Sequence, residues 1–529
     1  MLSVKGRKNK HTFMQKPIAA GKFVFIAVFS IIIFYLFLGT GLHGDDYSTI
    51  GMWRDWSDFF NINSPRKGLA IFGLSKYFSF WWAYFALGYE HQWVYDLVKV
   101  VAHLLSVLCV YRFAVDYLSR DRALLASVLF VFYPLHDTTM YWYMTVPYVF
   151  FPAVLMYAHS LMRGERVVSG ILLGFIGAFA GYVSPPYVFG LAAIFAYERK
   201  YRKALLYATP GLLYVVFYFW IKFAFPGVER RINAGLGVAG FLKQLLLQPL
   251  SFAEAAIGPS YWFKIYYGIS SIGLISACIA ASIVVVLILK SGTFSGASKL
   301  PKSLFFGLAS ILFLSFVMFA LTGLYHHSAF NLGNRTTVYG SLLLAFLLAL
   351  LPLNKKTILF LTLIFILPVF GLSDAWKSWN VHQKMVIENI HTNALLRELP
   401  PESTLLVAGN IYSKLGPFSH IEFFSMPWVV NSIFHGWVKS KNVVALVPYI
   451  FLDNGVLVDP KFGVKYVLQK NIYLYDSDAN SVQAIPVTAV PQLLANRPRE
   501  IRHWVQLAKG TWIESGITSM SPRLAYLFQ

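Results

Sequence analysis

The chain has 529 residues, of which 57% are hydrophobic, 17% aromatic and only 13% charged. A soluble protein of this length carries far more charge, so the composition excludes a soluble globular enzyme and describes a polytopic membrane protein. The net charge of +21 would suggest nucleic acid in a soluble chain, but here much of it lies in short loops between apolar segments, so no nucleic-acid partner is expected.

Residues 1–22, MLSVKGRKNKHTFMQKPIAAGK, hold six Lys/Arg and no acid, ahead of an uncharged run, FVFIAVFSIIIFYLFLGTG. That run is longer than a signal-peptide core, and GTGLHGDD is a poor cleavage site, so an uncleaved first helix with a cytoplasmic N-terminus is expected. HGDDYS follows at once. One of Asp45 and Asp46 can cap a short helix beginning near Tyr47. Two acids are more than a cap requires, and a carboxylate fixed at the membrane surface suits a general base for a hydroxyl group. The first outside loop, 42–93, is aromatic (WRDWSDFFNI, YFSFWWAYFALGY), as interfacial helices are, and carries Ser64-Pro65-Arg66-Lys67.

Eleven spans are expected at 23–41, 94–115, 122–135, 145–162, 167–183, 186–197, 204–224, 268–289, 304–324, 336–353 and 357–373, three of them short for a full crossing. The loops this count puts inside are SRDR, RGER, ERKYRK, KSGTFSGASKLPK and NKK; each is short and basic, as the positive-inside rule requires. Cys109 and Cys278 both fall in apolar segments, so no disulfide framework is implied.

Asp96, Lys99 and His103 share one helix face at the start of the second span, either as a structural ion pair near the outer surface or as functional groups facing a cavity. Between the third and fourth spans, FYPLHDTTMYWYMTVPYVF sets Pro134, His136, Asp137 and Trp142 in a tight outside turn. A second outside loop, 225–267, includes FLKQLLLQPLSFAEAAIG, another interfacial candidate. YHHSAFNLGNRTTVYG then places Arg335 at the outer start of an apolar helix, where topology does not call for a cation and a guanidinium fork suits phosphate oxygens. His326-His327 lacks a spaced third ligand and is weak evidence for metal. Residues 374–529 have ordinary soluble composition, and PPESTLLVAGN, KNVVALVPYIF and VKYVLQKNIYLYD read as strands of a small α/β domain outside the membrane. The expected division is a basic tail (1–22), a helical bundle (23–373) and a C-terminal extracytoplasmic domain (374–529).

In order and topology, this chain resembles the GT-C class of membrane glycosyltransferases over roughly residues 20–375. The resemblance rests on Asp45-Asp46 after the first helix, then Ser64-Pro65-Arg66, then YDLVKVVAHLL, then YPLHDTTMYWYMTVPYVF, then NRTTVYGSLLLAFLLALLP. Two departures are Pro65-Arg66 where Arg-Pro is usual and Asp137 where Glu is commoner. The resemblance implies a polyprenyl-phosphate sugar donor, a glycan, lipid or protein acceptor and an inverting transfer; a multi-pass protein of a bacterial cytoplasmic membrane is expected because the sequence shows no eukaryotic retention signal and little glycosylation-prone loop. It implies Asp45 or Asp46 as base, Arg335 with Lys99 or Arg66 at the donor phosphate, and Tyr47, Trp53, His136, Asp137 and Trp142 toward sugar or acceptor. No cofactor is expected, and the metal question stays open. The alternatives are a lipid or glycan transporter or flippase, which would usually show repeated halves, and a non-catalytic scaffold.

Overall fold

The computed structural model describes residues 15–52, 88, 90–224, 232, 234–290, 299–323, 325–460, 463–497, 500–520, 525 and 528. The expected interfacial helices of the first outside loop, with Trp53 and Arg66, lie outside the described residues.

The apolar runs form helices, in which every backbone polar group is satisfied within its own segment, as lipid requires. In chain order these are α1 (Gln15–Phe37), α2 (Asp45–Met52), α3 (Gln92–Ala114), α4 (Arg120–Val131), α5 (Asp137–Tyr141), α6 (Pro147–Arg163), α7 (Val167–Ala178), α8 (Pro185–Tyr197), α9 (Tyr201–Ala224), α10 (Gly237–Ile257), α11 (Pro259–Ser270), α12 (Leu274–Lys290), α13 (Lys302–Thr322), α14 (Val338–Leu348), α15 (Lys355–Leu361) and α16 (Leu367–Thr392). Proline opens α6, α8 and α11, where its missing N–H costs nothing. Gly323, at φ +63°, closes α13.

Among the described residues five helical stretches are long and apolar enough to cross a membrane: 92–114, 120–141, 143–163, 302–322 and 355–392. A sixth candidate is the pair 237–270 and 274–290, bent by 110°. The count of eleven is therefore not reproduced by this criterion; three of the other expected spans are shorter apolar helices, 26–37, 167–178 and 185–197. The last helix also runs on past 373, the expected end of the bundle, to Thr392. The bend at Ser271–Gly273 is held from outside: Asp374 of α16 accepts the Gly273 N–H (2.7 Å) and the Ser276 hydroxyl (2.8 Å), capping α12 from a neighbouring helix.

Beyond α16 come α17 (Ala394–Glu398), strands β1 (Ser403–Ala408), β2 (Tyr412–Leu415) and β3 (Phe418–Glu422), helix α18 (Pro427–Phe434), and strands β4 (Asn442–Ala445), β5 (Phe451–Asp453), β6 (Val456–Asp459), β7 (Val464–Val467), β8 (Asn471–Asp476) and β9 (Ser481–Ile485). The main sheet has the order β4-β1-β8-β9, with β4, β1 and β8 parallel and β9 antiparallel. Two small antiparallel sheets, β2-β3 and β5-β6-β7, complete the unit.

This unit shares its core with the helical bundle. Leu415, Phe418 and Ile421 of the β2-β3 hairpin pack into the bundle's core, while Leu42, Tyr47, Tyr95 and Tyr143 belong to the core of the C-terminal unit. Helix α18 lies directly on α2.

Candidate active site

The loop that carries the acids is fixed before the acids begin. Asp96 of α3 accepts the backbone N–H groups of Gly39 (2.7 Å) and Gly41 (2.8 Å), gathering the chain as it leaves α1. Gly41 has φ +60°, and a Cβ there would strike Asn380 and Gln92, so only glycine fits. Lys99 lies one turn further along α3, fully buried. Its ammonium meets Asp96 (2.9 Å), the Thr40 hydroxyl (2.6 Å) and the carbonyls of Gly41 (2.8 Å) and Tyr141 (3.0 Å). With three protons and four acceptors, Lys99 has none left for a phosphate. The expectation that it binds the donor is corrected: together with Asp96 it is the structural pair, and it fastens the acidic loop to α5.

His43 continues this framework. Its ring contacts the Thr40 carbonyl, and Gln383 of α16, in the amide orientation that satisfies its surroundings, donates to His43 Nδ1 (3.0 Å) and the Leu42 carbonyl (2.9 Å). Burial first, and then the charge of Lys99, hold the imidazole well below its ordinary range, so it is neutral.

The two aspartates differ. Asp46 is fully buried and accepts the backbone N–H of His43 (2.9 Å) and of Met144 (3.2 Å). It closes the N-terminus of α2 and joins that helix to the segment before α6. Asp45 is only partly buried, and one of its oxygens accepts the indole N–H of Trp428 in α18 (2.6 Å). The less buried partner of the pair is therefore Asp45.

Asp137 is a second anchor. It is wholly buried, and its two oxygens take four donors: Lys264 Nζ (2.6 Å) and Asn334 Nδ2 (2.6 Å) on one, Trp376 Nε1 (2.7 Å) and His420 Nε2 (2.8 Å) on the other. The Asn331 N–H donates to His420 Nδ1 (3.3 Å), which makes Nε2 the protonated nitrogen. Those partners come from α11, the turn before α14, α16 and β3. So saturated a carboxylate cannot meet an acceptor. His136 is likewise fully buried against the Phe130 carbonyl and the Thr139 hydroxyl. Both expectations of substrate contact are corrected to a structural role, because every polar atom is already matched inside the protein.

Arg335 stands at the end of the turn that Asn334 anchors. Half-buried, its guanidinium lies over the rings of Tyr325 (5.5 Å) and Tyr148 (5.9 Å). Tyr148 is four residues beyond Met144, the residue that donates to Asp46, so one short segment touches Asp46 at one end and Arg335 at the other. Asn334, the acceptor position of an Asn-Arg-Thr glycosylation pattern, is fully buried. Tyr47 is buried edge-on against Phe423 (5.7 Å), and Trp142 is buried against Gly44. Among the described residues no three His, Cys, Asp or Glu side chains gather to hold a metal.

Sequence reasoning did not find Lys264, Trp376, His420 or Trp428. Lys264 alone had a signal, as a single cation inside the aromatic run PSYWFKIYYGIS. The others come from segments whose approach to the acidic loop depends on the tertiary fold.

No protein-family model and no curated protein matches the chain. Among solved structures it is similar to the crystal structure of ArnT from Cupriavidus metallidurans bound to undecaprenyl phosphate. That likeness has 12% identity and a TM-score of 0.33, over 74% of this chain and 83% of that one. At that level it carries no argument about chemistry.

Proposed function

We propose that this chain is a membrane glycosyltransferase that moves a sugar from a polyprenyl-phosphate donor to a hydroxyl of a glycan, lipid or protein, on the extracytoplasmic face of a bacterial cytoplasmic membrane. The observation that carries this reading is the division of labour in the acid pair. Asp46 is buried and bound by backbone N–H groups, Asp45 beside it is partly exposed, and Arg335 lies over the ring of Tyr148, four residues beyond the Met144 that donates to Asp46.

In the transfer, Asp45 takes the acceptor's hydroxyl proton as its oxygen forms a bond to the anomeric carbon. The bond from that carbon to the phosphate oxygen breaks on the opposite side, and the lipid phosphate leaves with the electron pair, so configuration inverts. Arg335 offsets the charge growing on the leaving phosphate. The eleven-span topology, with an inside N-terminus and an outside C-terminal unit, belongs to the same proposal and is supported by the basic short loops.

The geometry counts against a transporter. Asp96, Lys99, Asp137 and Lys264, buried charges of the kind that couple ions, are each matched by fixed protein partners.

Purified protein in lipid nanodiscs, given polyprenyl-phosphate hexoses and pentoses with membrane-glycan acceptors, is expected to release lipid phosphate. Asp45→Asn should lower that release about 10²–10⁴-fold, the usual worth of a general base. Arg335→Ala should lower it while leaving the protein folded. Full activity in both variants would remove these residues from the reaction.

A further inference from the structure

A cavity of about 240 Å³ lies where the Ser271–Gly273 bend, helix α16 and the β2-β3 hairpin meet, and neither the acid pair nor Arg335 lines it. It has room for roughly eight water molecules at about 30 Å³ each, far more than a single ion needs. Much of its polar wall is already matched. Ser271 donates to the Tyr267 carbonyl (2.8 Å), Ser413 accepts the Ile421 N–H (2.9 Å), and both nitrogens of His420 are engaged. Three groups keep capacity. Asp374 accepts the Gly273 N–H on one oxygen and the Ser276 hydroxyl on the other, which leaves about two lone-pair positions open; Lys377 stands 3.9 Å off, beyond hydrogen-bond reach. The Lys414 ammonium gives protons to Ser419 (3.0 Å) and Glu500 (2.9 Å) and keeps a third. Ser378, one turn beyond Asp374 on α16, is exposed, and its hydroxyl has no hydrogen bond among the described residues.

Two features narrow what would fill this cavity. The first is that one space holds a carboxylate with open acceptor positions and an ammonium with an open donor. A simple anion would use Lys414 and be repelled by Asp374; a simple cation would do the reverse; a neutral polyol would leave both charges unanswered. A zwitterion carrying an ammonium and a phosphate answers both. The second is the surface beside the cavity. Leu274 and Ile275, directly after the bend, are 82% and 66% exposed, and Val285, Val286 and Leu289 continue the exposed apolar face of α12. That much uncovered apolar surface on a membrane helix is where acyl chains lie. In the topology proposed above, the bend stands at the outer end of α12, level with lipid headgroups.

We propose that this cavity holds the headgroup of a zwitterionic phospholipid bearing a primary ammonium. The ammonium sits on Asp374, the phosphate on Lys414, and Ser378 bonds to either, with the acyl chains running along α12. Asp374 belongs to the bundle and Lys414 to the C-terminal unit, so the bound lipid ties the β2-β3 hairpin, which carries His420, to the membrane surface. The site is separate from the transferase reading, because none of its three open groups takes part in sugar transfer.

The test uses the full chain in detergent, titrated with dioleoyl phosphatidylethanolamine, phosphatidylcholine or phosphatidylglycerol, with native mass spectrometry counting the lipids bound per protein. Phosphatidylethanolamine is expected to bind about tenfold more tightly than the other two, because choline has no N–H for Asp374 and the glycerol headgroup has no cation. Asp374 also caps α12, so two milder variants probe the cavity. Ser378→Trp fills it without deleting a hydrogen bond, and Lys414→Gln removes the charge that meets the phosphate. Each is expected to lower phosphatidylethanolamine affinity about tenfold and to leave phosphatidylcholine binding unchanged. Equal affinity for the three lipids, a preference for phosphatidylglycerol, or wild-type affinity in both variants would overturn the proposal. The readout is lipid binding, so a protein without transferase activity would leave this result as it stands.

Discussion

At the scale of residues, adjacent aspartates with one codon's difference in position hold different places in the molecule. Asp46 accepts two backbone N–H groups, so Asp46→Asn turns an amide N–H₂ toward one of them and leaves a buried donor unmatched. That should cost about 1–3 kcal/mol of stability, read as a lower unfolding temperature in detergent. Asp45→Asn should leave that temperature near wild type and abolish turnover instead. His43 gives a separate check through pH. Because burial lowers its folded-state pKa below the ordinary imidazole value near 6.5, the unfolded chain binds the extra proton first, and stability falls as pH drops below about 6.5. His43→Gln should flatten that part of the stability–pH curve; an unchanged slope would assign the effect to other groups. The pair itself was legible in the sequence, because two acids directly after an apolar span exceed what a cap needs. The assignment of roles was not, since it depends on Met144 and Trp428, 98 and 383 residues away.

At the scale of elements, hydropathy located the helices well because lipid forces every long apolar run into the same conformation. The strands were legible for a similar reason: STLLVA, NVVA and NIYLYD are short apolar runs bounded by turn residues, and they form the parallel core β4-β1-β8. What the sequence could not show is how far elements converge. Asp137 read as a lone acid in a loop, open to solvent or substrate; in the fold it is where α5, α11, the turn before α14, α16 and β3 meet. Lys99 read as a structural or a functional cation, the structural reading slightly ahead, and its four acceptors strengthen the structural one. Asp137→Asn should strip the charge that balances Lys264 in a fully buried setting, at a cost of about 3–5 kcal/mol. The expected outcome is poor accumulation or a sharply lowered unfolding temperature; wild-type stability would show that the node is not what joins these elements.

At the scale of the whole molecule, the bundle and the C-terminal unit each lend residues to the other's core, with Tyr47 and Tyr143 in the core of the latter and Phe418 and Ile421 in the core of the former. The active site proposed above lies on that seam, so its geometry depends on both parts. The topology that puts it outside the membrane can be tested directly. In a background lacking Cys109 and Cys278, cysteines at the exposed positions Glu165 and Lys200 should react with a membrane-impermeant maleimide only after the membrane is opened, and one at exposed Ala479 should react in intact cells. The most direct measurement of the central claim is lipid phosphate released from a polyprenyl-phosphate sugar by the parent protein and by Asp45→Asn at equal folded concentration. The account predicts release by the parent and a loss of at least about 10²-fold in the variant; equal release by both would contradict it.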